Sequence, residues 1–130
     1  MELNGQFSLE SLLVSEKNKR RGFTDGDKFW SEDYLWKNAK GLTPKKRSLK
    51  ELLDLQIKWT VKNVFDFCIH IKKVQEADLS YPIIFNAEGK LMDGYHRLCR
   101  ALLDGKEEIS YVQFTIDPTP ERIIPGGKRD

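Results

Sequence analysis

The chain has 130 residues, 39% of them hydrophobic and 32% charged, with a formal net charge of +2 and two cysteines. That is the size of one domain with one core. Two cysteines make no disulfide framework and no apolar run is long enough to span a bilayer, so a reducing cytoplasm is expected; a charge of +2 by itself demands no nucleic-acid partner.

Residues 1–47 alternate polar and aromatic stretches without sustained periodicity, which predicts a polar and aromatic arm of loops and short helices packed on the core. Between residues 16 and 47, ten Lys and Arg stand against five Asp and Glu, a local charge of +5 that can follow a phosphate backbone such as DNA. Phe23, Phe29, Trp30, Tyr34 and Trp36 can stack on bases or pin the arm down, and packing is the commoner use of large aromatics. Ser48 can cap a short helix through Leu53, and the alternation of LQIKW over 55–59 predicts a strand. Asn63 can cap a longer helix whose stripe of Val64, Phe67, Cys68, Ile71 and Val74 should face a sheet. His70 lies off that stripe, as a surface or boundary histidine.

Residues 81–85 predict a strand with Pro82 at its start, 86–89 a turn containing exposed Glu88, and 90–92 the returning strand. Tyr95, Leu98, Ala101 and Leu102 then form the inner face of a helix stopped at Gly105. Residues 109–116 alternate as a final strand, with Ile109, Tyr111, Gln113 and Thr115 on one face and Val112, Phe114 and Ile116 on the other. The proline- and glycine-rich run 117–130 reads as an extended tail.

The chemistry concentrates at Asp93-Gly94-Tyr95-His96-Arg97, where a strand breaks into a helix. Gly94 permits a sharp turn and close ligand approach, and the first helical turn presents unpaired N–H groups at the positive end of the helix dipole. Arg97 offers a fork for two phosphate oxygens, and His96 a hydrogen bond or a proton near neutral pH. Two cations at a helix N-terminus oppose the dipole, so an anion should compensate them. Asp93 has three uses open to it: capping the helix, orienting His96, or holding a divalent ion such as magnesium that bridges to phosphates. Arg100, one turn on, can reach the same anion or extend into solvent. For a general base, Asp54, Asp66 and Glu51 are unranked candidates.

The segment PIIFNAEGKLMDGYHRLCRALLDG resembles the hairpin and helix of the ParB/sulfiredoxin superfamily, and the likeness extends over about residues 55–114. It implies a small α/β domain, a mixed sheet packed with helices, over residues 48–116. It further implies that the glycine-to-arginine turn binds nucleotide phosphates, with CTP, ATP or ADP and magnesium as cofactors. Gly94, Tyr95, His96, Arg97 and Arg100 are then the nucleotide-binding set, with Asp93 and His96 as catalytic residues and Asp93 as metal ligand. Arg100 stands where the family has alanine, and Tyr95 where sulfiredoxin has its reactive cysteine, so thiol chemistry is not expected. Two function classes follow: a nucleotide-dependent phosphotransferase or hydrolase, and a ParB-like, nucleotide-switched DNA-binding or nuclease-related module that associates with a second copy of itself. A third reading keeps the turn for stability alone.

Overall fold

A computed structural model describes residues 21–124. Residues 1–20 of the expected arm and 125–130 of the expected tail lie outside the described residues.

Strands β1 (Gly22–Asp25) and β2 (Lys28–Ser31) form a hairpin that places Phe23 opposite Trp30, their ring centroids 5.8 Å apart. The reversal falls at Gly26 and Asp27, with Gly26 at φ 63°, the left-handed conformation that two-residue hairpin loops require. Ser31 ends β2 and caps helix α1 (Glu32–Ala39) by accepting the Tyr34 N–H. Strand β3 (Lys45–Ser48) follows, and Ser48 caps a 3₁₀ turn, Leu49–Leu52, as its side chain predicts. Residues 22–48 thus carry far more regular structure than loops and short helices. The hairpin strands are only four residues long, too short for a clear period.

Asn63 caps α2 (Val64–Gln75), its side-chain oxygen 2.8 Å from the Asp66 N–H. Strands β4 (Ile83–Phe85) and β5 (Leu91–Asp93) lead into α3 (Tyr95–Leu103), and β6 (Glu108–Gln113) returns along the sheet. Strand order is β3-β6-β4-β5, with β4 parallel to β6 and the other pairs antiparallel. The α/β class with a mixed sheet is as the sequence predicts. A second small sheet joins β7 (Arg122–Ile123) to β2, so part of the expected tail is a strand.

Alternation along the main sheet divides the core in two. Ile84, Met92, Val112 and Phe114 pack with Phe23, Trp30, Leu35 and Ala39, while Ile83, Phe85, Leu91 and Ile109 pack with Leu49, Leu52, Leu98 and Ala101. The hairpin and α1 therefore cover one face, and the 3₁₀ turn and α3 the other. Each of the larger aliphatic and phenylalanine side chains contributes about 1.5–3 kcal/mol by burial.

Three expectations are corrected. Residues 55–59 form no strand: their alternation finds no partner, and Trp59 packs instead on two histidines. On α2 the predicted stripe does not face the sheet, since Val64 is 80% and Phe67 56% exposed whereas Ile69 is 2%. The final strand stops at Gln113, and Ile116 is exposed. No helix among the described residues is long and apolar enough to cross a membrane.

Candidate functional site

The β5–α3 junction is fixed by glycine. Gly94 sits at φ 120°, and a Cβ there would lie 2.4 Å from Cγ2 of Ile83, so neither the dihedral nor the packing tolerates a side chain. Gly94 is also the N-cap of α3. Its carbonyl accepts the Leu98 N–H at 2.9 Å, and no side chain caps the first turn. The N–H groups of the first turn of α3 therefore have no acceptor within the helix and none from a capping side chain.

Asp93 is therefore not the cap. Its Oδ2 accepts the Trp36 indole N–H at 2.9 Å and an Arg97 N–H at 2.8 Å, tying α1, β5 and α3 together. Arg97 also lies 5.2 Å from the Trp36 ring centroid, and its buried Nε has no acceptor among the described residues. The anion that compensates Arg97 is thus supplied from within, by a carboxylate four residues back.

His96 departs furthest from expectation. Its Nε2 lies 2.8 Å from Nδ1 of His70, and the Trp59 ring stacks on both imidazoles, at 4.2 Å from His70 and 4.5 Å from His96. Burial first, then the charge of His70 and of Lys73, Arg21 and Arg97, pushes the His96 pKa down to about 3. His96 is consequently neutral at physiological pH. It can donate or accept a hydrogen bond but is neither a cation for phosphate nor a strong base.

Tyr95 is half-buried, packed against the core cluster that contains Leu98 and Ile83 while lining the smaller hollow described below, and burial raises the pKa of its phenol. Arg100 pairs with Asp104 at 2.9 Å and donates to the Gln75 carbonyl at the end of α2, so it braces two helices and lines neither hollow of the site. Burial likewise pushes the Cys99 thiol up, away from thiolate chemistry.

Two hollows, of about 920 and 690 Å³, meet at the junction and share Arg21, Glu32, Asp93, Gly94 and His96. The larger continues between α1 and the end of α2, past Trp36, Lys73 and Arg97. The smaller runs past Trp59, Lys62 and His70. Four Lys and Arg against six Asp and Glu line the larger one.

Of the proposed bases, Glu51 is paired with Arg47, Asp54 lies outside both hollows, and Asp66 accepts the Lys62 N–H. The sequence reading missed Glu32. Although the residue is exposed at the rim, protein around its carboxyl and the charge of Asp93 raise its pKa, against the pull of Arg21, Lys73 and Arg97. His70 is half-buried, the boundary position expected of it, but its partner lies 26 residues away on another helix and could not be read from the sequence. Among the described residues no three His, Cys, Asp or Glu side chains gather to hold a metal ion. Compared with family models, with curated proteins and with solved structures, the chain matches none.

Proposed function

We propose that the protein binds a nucleoside phosphate at the Gly94–Arg97 turn, in the manner of the ParB/sulfiredoxin superfamily that its hairpin and helix resemble. One observation carries this reading: the uncapped first turn of α3 opens where the two hollows meet, in a space large enough for a nucleotide. Arg97, Arg21 and Lys73 border the same space and supply positive charge.

The excess of carboxylates in the larger hollow means that a bare polyphosphate is repelled there. A nucleotide entering as its magnesium complex relieves that repulsion. Asp93 is the nearest carboxylate to the turn, and the nucleotide itself brings the remaining oxygen ligands that magnesium requires.

Titration of the purified protein with ATP, ADP and CTP, with and without magnesium, tests the reading. Binding of at least one nucleotide is expected, strengthened by magnesium and weakened tenfold or more by Arg97→Ala. Lys73→Gln, outside the Asp93–Arg97 pair, should weaken it severalfold. No binding to any of the three, or an Arg97→Ala effect below tenfold with the fold intact by circular dichroism, rejects it.

DNA association is a second reading, supported by the exposed Lys40, Lys45, Lys46 and Lys50 on and around edge strand β3. It requires an affinity that falls steeply between low and high salt.

A further inference from the structure

We propose that the outward face of α2 is the seat of the chain's own N-terminal run, residues 7–14. The helix carries an apolar stripe that the fold leaves unused. Val64, Phe67, Cys68 and Ile71 recur at spacings of three and four, on the side of the helix away from Ile69, His70 and Lys73, and Val64, Phe67 and Ile71 are 80%, 56% and 39% exposed. Solitary exposed apolar side chains are ordinary on a protein surface, but four in this register form the set by which a helix anchors to an apolar partner.

The inner side of α2 is already committed. Ile69 is buried, His70 bonds to His96 on α3, and His70 and Lys73 line the smaller and the larger hollow. A helix with a second apolar side calls for a second neighbour.

Chain connectivity selects that neighbour. Among the described residues the chain opens at Arg21, which borders the smaller hollow together with His70 and the larger one together with Lys73, so it starts beside the inner side of α2. Residues 15–20, SEKNKR, contain no apolar side chain, whereas in residues 7–14, FSLESLLV, Phe7, Leu9, Leu12, Leu13 and Val14 are apolar. Leu9, Leu12 and Leu13 repeat the spacing of the stripe. A polar stretch of six residues reaches about 20 Å when extended, and a helix with its side chains is about 10–12 Å across, so the stretch can carry the run around α2 to its outer face.

The short tether also settles how small a seat suffices. It holds the run at an effective concentration of about millimolar, enough for a patch one helix face wide, whereas separate molecules meeting through the same stripe would need about 1,000 Å² or more of contact. Phe67 and Ile71 form the middle of the seat. Val64, at the open end of α2, stays at its rim, where solvent persists and a contact adds little. Once seated, the run holds α2 against α3 and keeps His70 and Lys73 at the hollows that they line.

The test uses Cys68, which lies in the stripe itself. In the full chain carrying Cys99→Ser, so that Cys68 is the one native thiol, Leu12→Cys or Leu13→Cys is introduced, treated with oxidised glutathione at low protein concentration and mapped by mass spectrometry. An intramolecular disulfide to Cys68 is expected, forming roughly tenfold or more faster than in the same protein with Phe67→Asp and Ile71→Asp, which leave the tether unchanged. Circular dichroism establishes that α2 persists in these variants. Leu9→Asp, which alters none of the described residues, should slow the same bond severalfold. Equal rates with and without the aspartates overturn the proposal, because the tether alone then accounts for the contact. Failure of both engineered cysteines to reach Cys68 overturns it too, as does cross-linking solely between molecules, which would assign the stripe to a second copy.

Discussion

Nδ1 of His70 and Nε2 of His96 lie 2.8 Å apart, so one hydrogen bond joins the middle of α2 to the first turn of α3 under the ring of Trp59. One nitrogen of this contact donates and the other accepts, so the two rings cannot both be protonated without breaking it. The low pKa of His96 follows from that geometry together with burial.

An NMR titration should accordingly find one imidazole that does not titrate between pH 5 and 8, assigned to His96 by its loss in His96→Asn. The same shift sets the sign of a stability change. Below about pH 6.5 the unfolded histidine binds a proton that the folded one refuses until about pH 3, so stability falls on acidification through that window. The slope contributed is at most about 1.4 kcal/mol per pH unit, less where solvent screens the site. Denaturant midpoints at pH 7, 5.5 and 4.5 measure it, and a slope unchanged in His96→Asn would contradict the assignment.

Asp93 and Arg97 should be energetically coupled. Removing either leaves the other partly buried without its charge partner, and each single substitution, Asp93→Asn or Arg97→Ala, should destabilise by about 1–3 kcal/mol. The double variant should lose less than the sum, giving a coupling energy of about 0.5–3 kcal/mol by urea denaturation. Strict additivity would mean that the pair forms no stabilising contact in solution.

Gly94→Ala should destabilise by about 3 kcal/mol or more, because the added Cβ meets Ile83 and the dihedral is unfavourable for any L side chain. Combining it with Ile83→Ala should recover none of the strain held in the backbone and only the steric part, offset by the cavity created. A thermal melt of Gly94→Ala indistinguishable from wild type would contradict the turn as described.

The two faces of α2 should respond oppositely to truncation. Ile69→Ala should lose about 2–5 kcal/mol, whereas Val64→Ser should stay within about 0.5 kcal/mol of wild type. The reverse ranking would restore the face that the sequence pattern suggests.

That pattern misleads for a physical reason. Val64, Phe65, Phe67, Cys68, Ile69, Ile71 and Val74 spread over more than half the circumference of α2, so a 3.6-residue period identifies the helix without choosing which part of that wide apolar arc is buried. Around α3 the situation is the opposite. The short strands β4 and β5, the turn held by the buried Asn86, and the Gly94 break are each fixed by local chemistry, and all were legible before any coordinates. The Gly26-Asp27 reversal was also present as a signal between FT and KFW but was submerged in the charged run around it. The neighbours of Glu32 and His70 were not legible. The significance of the two residues comes from what tertiary packing sets beside them, Asp93 in one case and His96 in the other.

The stretch after β6 runs back along the hairpin. Pro118 and Thr119 offer their carbonyls to Trp30 and Tyr34, and the Glu121 carboxylate receives the Ser31 N–H. These bonds link positions 85–90 residues apart, and they clasp the very corner from which Glu32 projects. Severing the backbone between Phe114 and Pro118 would therefore loosen the wall of the hollow while leaving the ladder of the four-stranded sheet in place, so that a late segment acts as the buckle on a corner folded from early residues.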